Sequence, residues 1–521
     1  MLAQLTTALL PALTTRSRAT LLACLALAHG EDTAGAPAAL PSAFAAAALR
    51  LLLGTRGLEL TRLKEAVNTA HPSLDLHQLV YARLAHAPSR SELLQHLAVE
   101  GAAVLAARGG APLACQVVSD FDDTLRQGWR DARFPRHAPY PGAAALLAEL
   151  QAAGARAAAC PGLAPPGWWQ GGGLPRLIVP GARPHGSTLP RRLAARALVG
   201  LAPARSAVAA MRGLPAQSAQ PGLPELMAAV LRALGAAGGD WAGAAPAPPA
   251  PPAAPPLPGT LVVLTARPSG PRGIVRRHTL QALAPPGIPH VTLLMGSLLR
   301  SASTQGIAEL KLDNFSTWRA LWPEYAWVLL GDCGQGDAAM GAAALARYGS
   351  SSSGSGSGSG VGGGIAAVLI HNVTPSEGMC GDGGSKAGYA ERGVHFFHSY
   401  AGAALGAAAR GLLPQDALWR VCSAVAAELQ ALDFGGLRAG GREAKERALA
   451  CTLRDLQAAQ WPGCAALGEE WARAEARVAA AERAEEGARA AGLGAAAGGE
   501  ASQQQAVPSV KDVQFAAWSG T

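Results

Sequence analysis

The chain has 521 residues, more than one core usually serves, and about half are hydrophobic, with Ala and Gly abundant and aromatics few. Its net charge of +8 comes almost entirely from Arg, and no Lys/Arg block is interleaved with aromatics, so nucleic-acid binding has no support. The eight cysteines are widely spaced without a CxxC pair, which argues against a zinc site or disulfide framework and favours a reducing compartment, and no apolar run reaches the roughly 18 to 20 residues of a membrane span.

Residues 1–30 contain no acid and carry Arg16 and Arg18, a composition that suits either an organellar leader or an ordinary helix. The expected compartment is the cytoplasm, with an organelle as the alternative. Residues 31–114 form a helical N-terminal region, where Leu51, Leu52, Leu58, Leu60 and Leu63, then Leu76, Leu79, Val80 and Leu84, recur at near-helical spacing. Ser89 and Ser91 are expected to cap the helix that runs through Val104.

An apolar strand then ends in Ser119-Asp120-Phe-Asp122-Asp123-Thr124. Burying so many carboxylates without a counter-charge is prohibitively costly. Alternation along the strand sends Asp120 and Asp122 to one side, where they could share a hard cation; the bland alternative is an acidic turn. Asp123 reads as a turn or cap residue. A loop follows with Arg126, Arg130, Arg133 and Arg136, suited to attracting an anionic substrate or equally to being a solvated basic loop. A helix is expected from Pro141-Gly142 to about Gln151.

Residues 152–258 read as an Ala/Pro/Gly-rich insert with two helical patches, 188–200 and 222–235, and an extended spacer, Ala244 to Pro258. A strand follows from Gly259 to Thr265, trailed by Arg267, which either binds substrate or pairs with a nearby acid. The next strand is His290 to Met295, and a helix from Leu312 to Leu321 carries Lys311 at its start. Trp327-Val-Leu-Leu-Gly331-Asp332 then ends in carboxylates, with Asp337 close behind as a metal ligand or a cap. Cys333 reads as packing. Beyond a Ser/Gly linker at 349–364, a last strand runs Ile365 to Ile370. Residues 401–435 read as docked helices, and 436–521 as a solvated helical to disordered tail. Strands separated by helices predict an α/β fold, a Rossmann-like doubly wound parallel sheet, with ligands beyond its C-terminal strand ends.

These pieces fit phosphoryl transfer to an aspartate. Asp120 would attack phosphorus and Asp122 would move protons. Thr265 would bind phosphate, Lys311 would offset charge, and Asp332 with Asp337 would hold a metal. The alternative is a catalytically silent scaffold binding a membrane or partner.

Asp120-x-Asp122-x-Thr124, the strand ending in Thr265, Lys311, and Gly331-Asp332-x4-Asp337 resemble, in that order, the four motifs of the haloacid dehalogenase (HAD) superfamily. The resemblance covers roughly residues 115–150 and 259–373, within a catalytic domain expected at 115–400. Ser119-Asp-Phe-Asp-Asp-Thr124, Lys311 with Trp322-Pro323, and Leu330-Gly-Asp-Cys-Gly-Gln-Gly-Asp337 look like the catalytic domain of the actin-patch-type phosphatidate phosphatases. Tyr140-Pro-Gly142, Leu264-Thr-Ala-Arg-Pro268, Pro323-Glu-Tyr325 and His395-Phe-Phe397 look most like its algal and protist relatives. That resemblance implies a Mg2+-dependent phosphatase, metal ligands Asp120, Asp122, Asp332 and Asp337, substrate contacts from Arg267 and Thr124, and phosphatidate at a membrane surface as substrate. The fungal-type second motif has a Ser-x-Ser-Pro-like signature where this chain has Thr265-Ala-Arg267-Pro268, and the long insert is a further departure. Phosphatase chemistry therefore carries over better than lipid specificity, and a soluble phosphometabolite stays open as substrate.

Overall fold

The apolar runs Val117-Val118, Leu261 to Leu264, Val328 to Leu330 and Val368 to Ile370 are buried on both sides, as strands of a helix-covered parallel sheet must be. The computed structural model describes residues 13–27, 42–70, 74–84, 87–158, 261–268, 278–281, 291–296, 303–349, 363–373, 378–434 and 441–490. Most of the expected insert, with its helical patches and spacer, lies outside the described residues, as do most of the Ser/Gly linker and the tail past residue 490.

Six strands form one sheet: β1 (Cys115–Ser119), β2 (Leu261–Pro268), β3 (Val291–Gly296), β4 (Ala326–Asp332), β5 (Ile365–His371) and β6 (Val394–Phe397). Every pairing is parallel and the order is β3-β2-β1-β4-β5-β6. This is the Rossmann-like α/β architecture that the alternation of strands and helices predicts. From β1 the chain moves outward to β3, then crosses back to β4 on the other side of β1. The order therefore reverses between β1 and β4, and a crevice opens at their C-terminal ends. β6 is a strand beyond the last one expected; four residues are too few to display a period.

The pleat divides the core in two. Val118, Val262, Leu264, Leu329 and Ile370 face a layer containing Phe315, Trp318 and Leu22, while Val117, Val263, Val328, Leu330 and Leu369 face Leu146, Val421 and Leu453. The first layer holds α1 (Thr15–Leu27), α2 (Ser42–Leu53), α3 (Gly57–Ala70) and α4 (Ala87–Ala107) in its outer part. The second holds α5 (Ala143–Ala158) and residues of the C-terminal helices described below. Among the described residues no helix is long and apolar enough to cross a membrane.

Several expected boundaries move. α4 starts at Ala87, so Ser89 lies inside its first turn and Ser91 at the start of the second, rather than ahead of it as caps; Pro88 is well placed there because a first-turn residue needs no N–H partner. α6 (Thr304–Leu321) starts well before Leu312, with the Ser303 hydroxyl accepting from the Gly306 amide at 3.0 Å. Lys311 therefore sits two turns inside the helix and is buried. α7 (Asp337–Tyr348) follows β4, and the short α8 (Lys386–Glu391) precedes β6.

Residues 441–490 are not uniformly solvated. After α9 (Tyr400–Ala408) and α10 (Gln415–Ala431), α11 (Gly441–Ala458) buries Ala444, Ala448, Leu449, Leu453 and Leu456, whereas α12 (Glu469–Ala490) buries little beyond Trp471 and Ala474. Small side chains let α11 approach closely, a face that a count of large aliphatics overlooks. Asp455 of α11 also accepts from the Ser399 amide and hydroxyl, at 3.0 and 2.7 Å, just ahead of α9.

Candidate active site

β1 ends at Ser119, although the Asp120 amide still donates to the Leu330 carbonyl at 2.8 Å. Three residues later Asp123 takes a left-handed φ of 58°. Its buried carboxylate gathers a turn: Oδ1 accepts from the amides of Gly128 at 2.9 Å and Arg130 at 3.3 Å, and Oδ2 from Trp129 at 3.3 Å. Asp123 is thus a turn-holding residue. Because the strand is over before Asp122, alternation no longer sets that side chain's direction. The Asp122 carboxylate turns to arginines instead: Arg267 donates through Nε at 2.8 Å and through its terminal nitrogen at 2.8 Å, and Arg126 at 3.3 Å. Both guanidinium groups lie over the Phe121 ring, Arg126 at 4.3 Å and Arg267 at 5.5 Å from its centroid.

At the neighbouring strand end, Asp332 is fully buried and its Oδ1 accepts from the Gly334 amide at 2.6 Å. Gly336, at φ 86°, turns the chain into α7, whose first residue is Asp337. The Asp337 carboxylate folds back to the Asp332 amide at 3.3 Å. Lys311, brought in by α6, donates to Asp337 Oδ1 at 2.6 Å and sits 3.2 Å from Asp120 Oδ2. Carboxylate oxygens of Asp120, Asp332 and Asp337 all lie within 4.8 Å of one another.

One lysine does not balance three buried carboxylates. Burial, outweighing Lys311 and aided by Asp337 and Asp122, pushes Asp120 up to about 7. Burial, then Asp337 and Asp120, push Asp332 well above the usual carboxylate range. Burial works to lower Lys311, but Asp120, Asp337 and Asp332 together hold it above its ordinary value. Asp332 Oδ2 is buried without a hydrogen-bond partner. Three hard oxygen donors, excess negative charge and an orphaned carboxylate oxygen fit a divalent cation such as Mg2+.

The structure therefore brings Asp120, Lys311, Asp332 and Asp337 into contact and sets the Asp122 carboxylate in an arginine clamp beside them, apart from the acidic trio with which it was expected to bind metal. Thr265 does not end its strand, since β2 runs on to Pro268 past an irregularity after Leu264; it is buried, its hydroxyl accepting from the Arg267 amide at 3.2 Å. Thr124 is fully buried, its hydroxyl without a partner, while its carbonyl accepts from the Tyr400 hydroxyl. Arg267 pairs with an acid, one of its two expected roles. Cys333 is buried, its sulfur accepting from the Val373 amide at 3.3 Å.

One group was not anticipated. His371, the last residue of β5, donates from Nδ1 to the Asp123 carbonyl at 3.0 Å, and its Nε2 accepts from Arg133 at 3.1 Å. Burial, then Arg133, lower it to about 4, so it is a neutral spacer. Its sequence signal was a polar residue closing an apolar strand. Arg130, one of the four loop arginines expected either to attract an anion or to be solvated, is seated against Gly334: a Cβ built on Gly334 would lie 2.3 Å from Arg130 Cδ and 2.8 Å from Asp332 Oδ1. No family model, curated protein or solved structure matches the chain.

Proposed function

We propose that this protein is a HAD-type, Mg2+-dependent phosphatase that hydrolyses a phosphomonoester through an aspartyl-phosphate. The observation that carries the reading is the buried Asp120–Lys311–Asp337–Asp332 cluster at the β1/β4 reversal, with one carboxylate oxygen unpartnered. The order of the four motifs along the chain supports it further.

In this reading an Asp120 oxygen attacks phosphorus as the bond from phosphorus to the ester oxygen breaks. Once arriving phosphate has drawn Arg267 away, Asp122 takes up a proton from solvent and gives it to the departing oxygen. Water then attacks phosphorus, Asp122 takes the water's proton, and the bond to Asp120 breaks to release phosphate. Lys311 holds Asp120 in place and neutralises charge building on the phosphoryl oxygens. Thr265 stands ready to donate to the phosphate, and arriving phosphate draws Arg267 away from Asp122. A divalent cation held by Asp120, Asp332 and Asp337 would supply further neutralisation of the phosphoryl oxygens.

The proposed substrate is phosphatidate or a related lipid phosphomonoester, on the strength of the sequence resemblance. The test is phosphate release, with and without Mg2+, from phosphatidate in liposomes and from a panel of soluble phosphomonoesters. Release from the liposomes alone supports the lipid substrate; release from soluble esters alone replaces it with a phosphometabolite. No release from either, with Asp120→Asn indistinguishable from wild type, leaves a silent scaffold.

A further inference from the structure

The loop after β1 is built to seat one guanidinium. Three backbone amides of residues 128–130 converge on the buried Asp123 carboxylate. Gly128 allows this approach, since a Cβ there would lie 2.7 Å from Asp123 Oδ2. Across the crevice Gly334 leaves room for the Arg130 side chain, whose Nε lies 2.9 Å from where a Cβ would be. That Nε is buried and has no hydrogen-bond partner. A buried donor left unpaired beside a carboxylate loop is costly unless a ligand completes it.

Charge makes the ligand specific. The carboxylates Asp120, Asp122, Asp123, Asp332 and Asp337 outnumber Lys311, Arg126, Arg267 and Arg130 by one, so a divalent cation leaves the site with one net positive charge. Removing Arg130 takes that surplus away, and the loss costs a phosphomonoester dianion about twice what it costs a phosphodiester monoanion, because Coulomb attraction scales with the charge of the ligand. We propose that Arg130 is a substrate-binding residue that recognises the dianionic phosphate group and sets a preference for monoesters over diesters. This inference rests on the phosphatase reading and adds a residue and a charge class to it.

The test compares wild type, Arg130→Ala and Arg130→Lys, with Mg2+, on p-nitrophenyl phosphate and bis(p-nitrophenyl) phosphate. Inorganic phosphate serves as competitor and, in calorimetry, as titrant. Arg130→Ala should raise KM for the monoester and the inhibition constant of phosphate by roughly tenfold to a hundredfold, the value of a charge-assisted hydrogen bond. Its kcat should stay within about threefold, and diester turnover should fall by less than monoester turnover. Arg130→Lys should fall between, retaining charge without the planar fork. Arg136→Ala removes the same charge from an exposed position on the same loop and should leave all of these constants alone.

An active wild type whose KM and phosphate affinity ignore Arg130→Ala overturns the inference and leaves the phosphatase reading standing. Equal losses on monoester and diester, accompanied by a lower melting temperature, also overturn it, since they mark a structural role. Phosphate binding that depends on Arg130 in a wild type without turnover overturns the phosphatase reading and the monoester preference with it, and keeps Arg130 only as a phosphate contact. Neither binding nor turnover overturns both.

Discussion

β4 has buried charge at both ends, and the two ends are built on opposite principles. Just before its first residue, Glu324 accepts from Lys64 through both oxygens, at 2.7 and 2.9 Å, and from the Thr61 hydroxyl at 2.7 Å. Lys64 also donates to the Leu321 carbonyl at 2.8 Å, and the Tyr325 hydroxyl donates to Glu65. Each charged atom of the Lys64–Glu324 pair is satisfied, and the pair fastens α3 to the end of α6. At the other end of β4, Asp332 joins Asp120 and Asp337 around one lysine, with an oxygen left over. A closed ion pair locks two layers of a fold together; an open, over-acidic cluster asks for something from outside. The contrast separates a satisfied buried charge from an unsatisfied one within a single strand.

Substitution at the two ends should therefore have opposite signatures. The largest effect is expected for Asp120→Asn, which should cut phosphate release by at least about a thousandfold with the melting temperature preserved. Retained turnover would show that another group is the nucleophile. Lys64→Met should do the reverse. It strands Glu324 in the core and should cost about 3 kcal/mol of stability, read by urea unfolding, with kcat of the surviving folded protein unchanged. A stability loss well under 1 kcal/mol would mean that the buried pair is no fastening at all.

Asp332→Asn sharpens the comparison. In the cation-free protein it relieves repulsion and should raise the melting temperature by a few degrees. It should also abolish the upward shift that Mg2+ gives the wild type. The sign of the pH dependence follows from Asp120, raised from 3.8 to about 7. Between those values the folded protein holds a proton that the unfolded chain has released, so cation-free stability falls as pH rises. Mg2+ takes over from the protons, and its stabilising shift should grow from about pH 5 to about pH 8. A shift of constant size across that range would remove the acidic cluster as the binding site.

Much of this site was legible because acidic tips interrupt apolar runs. Val117-Val118 leading to Asp120 and Leu329-Leu330 leading to Asp332 mark two strand ends, and parallel topology then sets them side by side. What stayed hidden depends on distant contacts. The fate of Asp122 depends on Arg267, more than a hundred residues away, and on a strand that ends at Ser119, short of Asp122, where alternation assumes it continues. The seat of Arg130 depends on a missing Cβ at Gly334, which no local pattern reports. The docking of α11 rests on alanines together with Leu449, Leu453 and Leu456, and these three leucines at helical spacing were outweighed by the many Ala, Arg and Glu residues around them.

The smallest expected effect concerns the polar spacer behind the arginine-bearing loop. His371 is wedged between the Asp123 carbonyl and Arg133, which is itself held by Asp131 at 2.8 Å and by the carbonyls of Asn372 and His398 at 3.0 Å. Its Nε2 must accept from a guanidinium, so protonation breaks that hydrogen bond and sets two cations together. Burial and Arg133 accordingly lower it from 6.5 to about 4. For a base depressed in the folded state, the unfolded chain binds the extra proton first, so stability is lost as pH falls below 6.5 and the loss is complete near 4. About 2 kcal/mol should disappear between about pH 7 and about pH 5 on this account. His371→Gln keeps a donor for the Asp123 carbonyl but cannot titrate, so its stability should be lower at neutral pH and change less toward acid. Urea unfolding across that range separates the two slopes, and parallel slopes would assign the acid sensitivity to groups other than His371.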